Sequence, residues 1–444
     1  MPVFFKTMPI LLLLNLNACV SYQPKPLALA VNAPLNSKQL TLQAGQLKNP
    51  LIKPLVFNLS DGLSSDEAAV LAVLNNPELQ LARNKLNIAQ AQLIQAGLLP
   101  NPRLSYNIAD TTGGLEAGKV MAYGFNLEWE VTALLTRYLK IAAASAEQKA
   151  INLQIAWQEW QVAQAAKLAC YQVRIYQQQQ PLFADNVQLI NQQQARLQQA
   201  ENLGLINPLE RILLATLQNN AQIKLQKINQ ETQLQQQRLQ RILGLKAENI
   251  VRLQVINPVF NVSEAAVNSQ SFMEQRLDLL ALKQSYEAQE QQLNREVLQQ
   301  FPKISLGLTQ TKNNSNYYTM GAGISISLPL FDRNQGAIAL ASANRAQVMA
   351  EYNNRVFQTQ ADIVQLQTLI ANLKQQINTT EILLVDLTQL LSAYEKAAAL
   401  GQVDNMAYYT ALNTVTDKRF ELLNLQLNLL NGQVGLQTAL GQLL

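Results

Sequence analysis

From Tyr352 to Tyr394 the chain sets small or apolar side chains at alternating steps of four and three: Tyr352, Val356, Thr359, Ile363, Leu366, Ile370, Leu373, Ile377, Thr380, Leu384, Leu387, Leu391 and Tyr394. A repeat of 3.5 residues keeps one seam of an α-helix turned to a partner helix. Sustained over many turns, it winds the pair into a left-handed supercoil. No proline falls between Arg333 and Leu400, and no glycine after Gly336. At 1.5 Å per residue the helix predicted there is about 100 Å long. A rod of that length exceeds any ordinary globular domain.

The rest of the composition fits helices covered on more than one face. Charged residues make up only 14% of the chain against 48% hydrophobic ones, and the polar positions are mostly Gln and Asn, as at Gln177 to Gln180 and Gln235 to Gln237. The net charge of +4 is small and unclustered, which argues against a nucleic-acid partner. The chain has no His, and it shows no thiol pair, Gly-rich phosphate loop or loop-borne carboxylate cluster. An enzyme is therefore not expected, nor a cofactor or metal site. Scattered Asp and Glu on helices read as solvated faces or lumen lining.

Residues 1–18 have the layout of a signal peptide, with Lys6, an apolar run from Pro9 to Leu16 and a small Ala18. The run is too short to span a membrane. Leu16-Asn17-Ala18-Cys19 resembles the lipobox of bacterial lipoproteins, which implies that Cys19 is acylated, with palmitate among the chains, and becomes the mature amino terminus. Val20 in place of Asp implies sorting to the outer membrane under the same rule. Ordinary signal cleavage beside a chance cysteine is the alternative. Cys170, the other cysteine, reads as a packed apolar residue. Residues 19–63, with prolines at 24, 26, 34, 50 and 54, read as an extended, lipidated arm.

Ser64-Ser65-Asp66-Glu67 starts a helix that reaches Gly97, kinked or restarted at Pro77. Alternating residues at 103–108 and 123–131, around a Gly-rich turn, predict a hairpin at about 103–131. A long helix follows from near Ala133 to Leu203 with Pro181 as its one internal breaker. Gly204 turns the chain, and Pro208 opens a helix to Leu243-Gly244.

The pattern then recurs about 200 residues later. Asn101-Pro102-Arg103-Leu104-Ser105-Tyr106 aligns with Phe301-Pro302-Lys303-Ile304-Ser305-Leu306. Leu203-Gly204-Leu205-Ile206-Asn207 aligns with Leu400-Gly401-Gln402-Val403-Asp404, and Leu243-Gly244 with Leu440-Gly441. The organisation expected is a first repeat at 64–244, an equatorial linker at 245–266 and a second repeat at 267–444 with its own hairpin at about 303–330. The short helices at about 208–244 and 267–299, stacked end to end, match the length of one long helix. Four rod-length columns result, with both hairpins at one end and both Gly turns at the other.

Four strands cannot close a barrel, and edges open in lipid leave backbone groups unsatisfied. Assembly removes the edges: two chains give eight strands, three give twelve. Trp129, Tyr106, Tyr123, Tyr317 and Tyr318 suit membrane interfaces. A small soluble sheet capping a helical bundle is the alternative. The fold class expected is mainly α with a small β part, a duplicated α-helical coiled-coil barrel joined to a transmembrane β-barrel completed by assembly.

The duplicated order, the Leu98-Leu99-Pro100-Asn101-Pro102 entry to the first strand, the Ser327-Leu328-Pro329-Leu330-Phe331-Asp332-Arg333 exit from the last and the two Leu-Gly turns resemble the TolC family of outer membrane efflux proteins. The segment Phe331 to Gly336 is most similar to the cation-efflux branch. The resemblance implies a homotrimer in the outer membrane whose helices form a periplasmic tunnel. Its partners would be outer membrane lipid, a periplasmic adaptor (membrane fusion) protein and an inner membrane pump of the resistance-nodulation-division type. The function implied is the exit duct of a tripartite efflux or secretion system; a structural coiled-coil lipoprotein without a pore is the competing reading. Carried over by position, Leu203, Gly204, Leu205, Leu400, Gly401 and Gln402 form the periplasmic tips that meet the adaptor. Asp404 is a helix N-cap by default; in a threefold assembly its carboxylates would form a gate ring that attracts cations.

Overall fold

The structure is a computed structural model that describes residues 21–27, 37–47, 49–52, 55–114, 118–202, 208–246, 252–254, 272–399, 402 and 405–441. Residues 21–27 belong to a separate unit and carry no regular secondary structure. Every element below lies in the unit Asn36–Leu444.

Helix α1, Ser37–Ala44, lies inside the segment read from sequence as extended. The prolines of that segment lie on either side of it, and its Leu40 and Ala44, one turn apart, are buried with Phe57 and Leu63. Helix α2, Ser65–Asn75, begins with a capping box: the Ser64 hydroxyl accepts from the Glu67 amide, and the Glu67 carboxylate accepts from the Ser64 amide at 2.9 Å. Pro77 restarts the chain as α3, Pro77–Gly97, because Asn76 caps the new helix by accepting from the amides of Glu78 and Leu79.

Strands β1, Arg103–Ala109, and β2, Ala122–Glu130, lead into α4, Thr132–Asn202, and α5, Pro208–Ile242. The second half runs through the one-turn α6, Phe272–Gln275, then α7, Leu277–Leu298, the strands β3, Lys303–Lys312, and β4, Tyr318–Ser327, and the helices α8, Gln335–Ala399, and α9, Asn405–Leu440. Helix α4 runs unbroken through Pro181 although the ring removes an amide donor there. Packing on both sides holds it: Ile175 is buried with Leu427, Leu430 and Val434, and Ile190 with Leu214, Ala221 and Tyr409.

The heptad seam of α8 is the face that α9 and α7 cover. Thr359, Ile363, Ile370, Leu373 and Thr380 are buried, and the other seam residues are half-buried. Gly432 and Gly435 let α9 approach closely, since a Cβ at either would stand 3.2 Å from Ile370 or Leu366.

Near the sheet the helices pack in the order α3, α4, α7, α8; toward the opposite end the order is α5, α4, α9, α8. The columns are therefore not the α5 and α7 pair expected from chain order. Helix α5 ends on α3, where Asn76 Nδ2 donates to the Ile242 carbonyl at 3.2 Å. Helix α9 ends on α7, where Arg276 Nη1 donates to the Ala439 carbonyl at 3.0 Å. Each half stacks its last helix on its own strand-leading helix. Side chains that precede α3 and α7 satisfy carbonyls left over at the ends of α5 and α9, which chain order does not reveal.

Candidate membrane pore and its borders

The two hairpins join into one sheet of order β1-β2-β3-β4, with β2 and β3 paired from Tyr123↔Lys312 to Glu130↔Ser305. The register sorts side chains by face. Leu104, Leu127, Leu308 and Ala322 lie across from one another, as do Trp129, Leu306 and Ile324, and Tyr106 stacks near Phe125 with ring centroids 4.6 Å apart. The opposite face carries Asn107, Gly124, Thr311 and Thr319 in one row and Ser305 and Ser325 in another. One face suits hydrocarbon and the other water. Large residues of the apolar face, among them Leu104, Met320, Ile324 and Ile326, are exposed.

At the turn end Asn313 organises the second hairpin: its side chain accepts from the amides of Ser315 and Tyr317, and Asn316 takes a positive φ of 70°. At the helix end Trp129 Nε1 donates to the Pro100 carbonyl at 2.8 Å. Tyr123, Tyr317 and Tyr318 thus sit at one end of the strands and Trp129 at the other, the arrangement of two aromatic belts.

Within the described residues of one chain, β1 and β4 each offer a free edge. The helices have two free borders as well: the α3 and α5 column on one side and α8 on the other. Exposed apolar side chains mark both, with Leu81, Ile88 and Ile94 on α3, Leu209, Ile212 and Ile223 on α5, and Phe357, Val364, Ile382 and Val385 on α8. Since α3 leads into β1 and β4 into α8, strand edge and helix border fall on the same side of the molecule twice. The heptad reading isolated the inner seam of α8 and missed this outer stripe, which follows a second phase of the same helix.

Midway along the columns, the largest core cluster joins the amino-terminal arm, α2, α4 and α5: Leu40, Phe57, Leu71, Ala166, Val173 and Leu243 are all buried there. Cys170 lies within it, its thiol pushed up to about 12 by burial. Leu63 forms a parallel bridge to Leu253 and so ties the arm to the segment between the two halves. Among the described residues there is no group of three or more His, Cys, Asp or Glu placed to hold a metal, and no helix is long and apolar enough to cross a membrane.

Cys19, Leu203, Gly204, Leu205, Leu400, Gly401 and Asp404 lie outside the described residues. Gln402 is exposed, and its amide donates to the Ala397 carbonyl at 2.9 Å, closing the end of α8.

The fold is thus a four-stranded sheet with one apolar face and two open edges, set on rod-length helical columns. Residues 268–442 match the family described as outer membrane efflux protein. The chain is similar to the cobalt-zinc-cadmium resistance protein CzcC of Cupriavidus metallidurans, 22% identical over 288 residues that span 64% of this chain and 68% of that protein. In fold it resembles CusC, with a TM-score of 0.71 at 18% identity over 85% of this chain and 92% of that one. It also resembles the Campylobacter jejuni CmeC outer membrane channel, with a TM-score of 0.72 at 14% identity over 94% of each.

Proposed function

We propose that three copies close into a ring, β4 of each pairing with β1 of the next and α8 packing on the neighbour's α3 and α5 column, to form a passive exit duct. The observation that carries this reading is the coincidence of free strand edges and exposed apolar stripes on the same two borders. Each unpaired backbone group in lipid costs several kcal/mol, and ring closure removes both edges at once. Three chains supply twelve strands with the polar face inward, and the columns continue the duct into the periplasm.

The turns at 203–205 and 400–402 would meet a periplasmic adaptor fed by an inner membrane pump, of the resistance-nodulation-division type, and their parting would gate flow. Asp404 would ring the closed end and draw cations toward it. Cys19 would anchor each chain by acylation. Divalent metal cations are the first cargo to test, because the CzcC relative is named for resistance to cobalt, zinc and cadmium and Phe331 to Gly336 is similar to the cation-efflux branch.

The experiment is the mass of the detergent-extracted protein together with its single-channel conductance in a planar bilayer. A trimer with small, mostly closed conductance is expected. A monomer or dimer without conductance would replace the duct by a coiled-coil spacer. Within the duct reading, Asp404→Asn should lower cation selectivity; unchanged selectivity would remove the gate ring alone.

A further inference from the structure

The apolar face of the sheet carries one cation at its outermost position. Lys312 ends β3, pairs with Tyr123 on one side and Tyr318 on the other, and follows Leu306, Leu308 and Gln310 along the same face. Its Nζ lies 5.9 Å from the ring centre of Tyr123 and 5.6 Å from that of Tyr318. Two rings that flank an ammonium hold it by cation–π attraction and cover its alkyl stem, so the amine is presented from a fixed place. Among the described residues no carboxylate forms an ion pair with it. Asp110, at the same end, lies beyond Ile108 two strands away and accepts from the Thr111 amide.

We propose that Lys312, framed by Tyr123 and Tyr318, binds the phosphate of an anionic lipid headgroup in the leaflet that the hairpin turns reach. This rests on the sheet spanning the outer membrane with its helices in the periplasm. A charge on a lipid-facing surface is costly at the bilayer midplane and tolerated near the interface, where headgroup phosphates lie. Neutral residues fill the same face toward the helix end: Leu104, Phe125, Leu127, Ile304, Ala322 and Ile326. Three copies in a ring would set one such site on each third of the rim.

The test reconstitutes the full chain in phosphatidylcholine vesicles alone, with lipid A added, or with free inorganic phosphate, and reads the thermal unfolding midpoint. Lipid A should raise the midpoint by several degrees for the native protein and for Lys312→Arg. The rise should fall by half or more for Lys312→Met, which suits a lipid-facing site and keeps the side-chain length. Inorganic phosphate should leave the midpoint unchanged. A full rise in Lys312→Met, or the same rise with inorganic phosphate, would overturn the site. Conductance recorded from the same preparations separates the two readings: a conducting protein whose Lys312→Met variant keeps the full rise loses the lipid site and keeps the duct.

Discussion

Asn76 and Arg276 stand about 200 residues apart at equivalent places, each just before the helix that climbs to a strand, and each reaches back to the last turn of its own half. The geometry is shared and the chemistry is not. Asn76 is neutral, caps α3 with its side-chain oxygen and donates to Ile242 with its amide nitrogen. Arg276 is charged and 6% exposed; it donates to Ala439, forks onto both oxygens of Asp278 at 2.9 and 2.6 Å, and lies 4.8 Å from the centre of the Trp157 ring. Trp157 in turn stacks on Trp160 of the same helix, so the second joint also grips α4 across the boundary between the halves. The helix-on-helix joint is what the duplication kept. The arm and α2 help hold the first half to α4, while in the second half the arginine adds to the packing of α7 and α9 on that helix.

The largest expected effect breaks the second joint. Arg276→Ala removes the donor to Ala439 and leaves the half-buried Asp278 carboxylate with only the Leu279 amide and Arg355 at 3.9 Å. Breaking one side of a buried pair costs about 3 kcal/mol or more, read as a lowered midpoint in denaturant or heat. Arg276→Lys should recover only part of it, since an ammonium cannot span both Asp278 oxygens. Asn76→Ala should cost about 1–2 kcal/mol, the scale of a lost N-cap. If the two variants cost the same, the joints are energetically alike and the charged one gives no added grip.

The glycines that end each half sharpen the same comparison. Gly244 and Gly441 both take positive φ, at 65° and 69°, where an L side chain is strained. A Cβ at Gly244 would stand 2.4 Å from the Asn75 carbonyl oxygen, backbone that has no room to shift; at Gly441 it would meet the Arg276 side chain at 2.9 Å. Gly244→Ala should therefore cost about 2–3 kcal/mol and Gly441→Ala about 1–2 kcal/mol. The reverse order in parallel melts would place the rigid joint in the second half.

What the sequence made legible follows from what periodicity encodes. The 3.5 repeat on α8 identified its buried seam because one partner covers one seam. Alternation identified four strands and their two faces because the pleat has a period of two. Stacking partners were not legible: α5 and α7 are neighbours in the chain, but a column is set by which helix end satisfies which carbonyls, and Asn76 and Arg276 look unlike each other. Helix α1 was hidden by the prolines around it, since eight residues give too little periodicity to outweigh them. Of the residues inferred for the tips and the anchor, only Gln402 falls within the described chain.

The smallest effect concerns an acid that the first half lacks, where Ala96 takes the equivalent place. Glu296 ends α7 just before the second hairpin. Burial pushes its carboxyl up, but the Asn334 amide at 2.9 Å, the adjoining Arg295 guanidinium and the charge of Lys140 outweigh burial and hold it below the usual carboxylate value. A carboxylate depressed in the folded state stabilises fully above its ordinary range, and that stability is lost as pH falls through the lower folded value. Stability should therefore drop at acid pH by a component that Glu296→Gln removes, with the curves of the two proteins converging below the folded value of Glu296. Asn334, held at a positive φ of 62° in the turn before α8, donates to both the backbone and the side chain of Glu296. Acidification thus loosens the junction of sheet and helix in the second half, and a native melt parallel to that of Glu296→Gln through the acid range would show that this junction carries no such linkage.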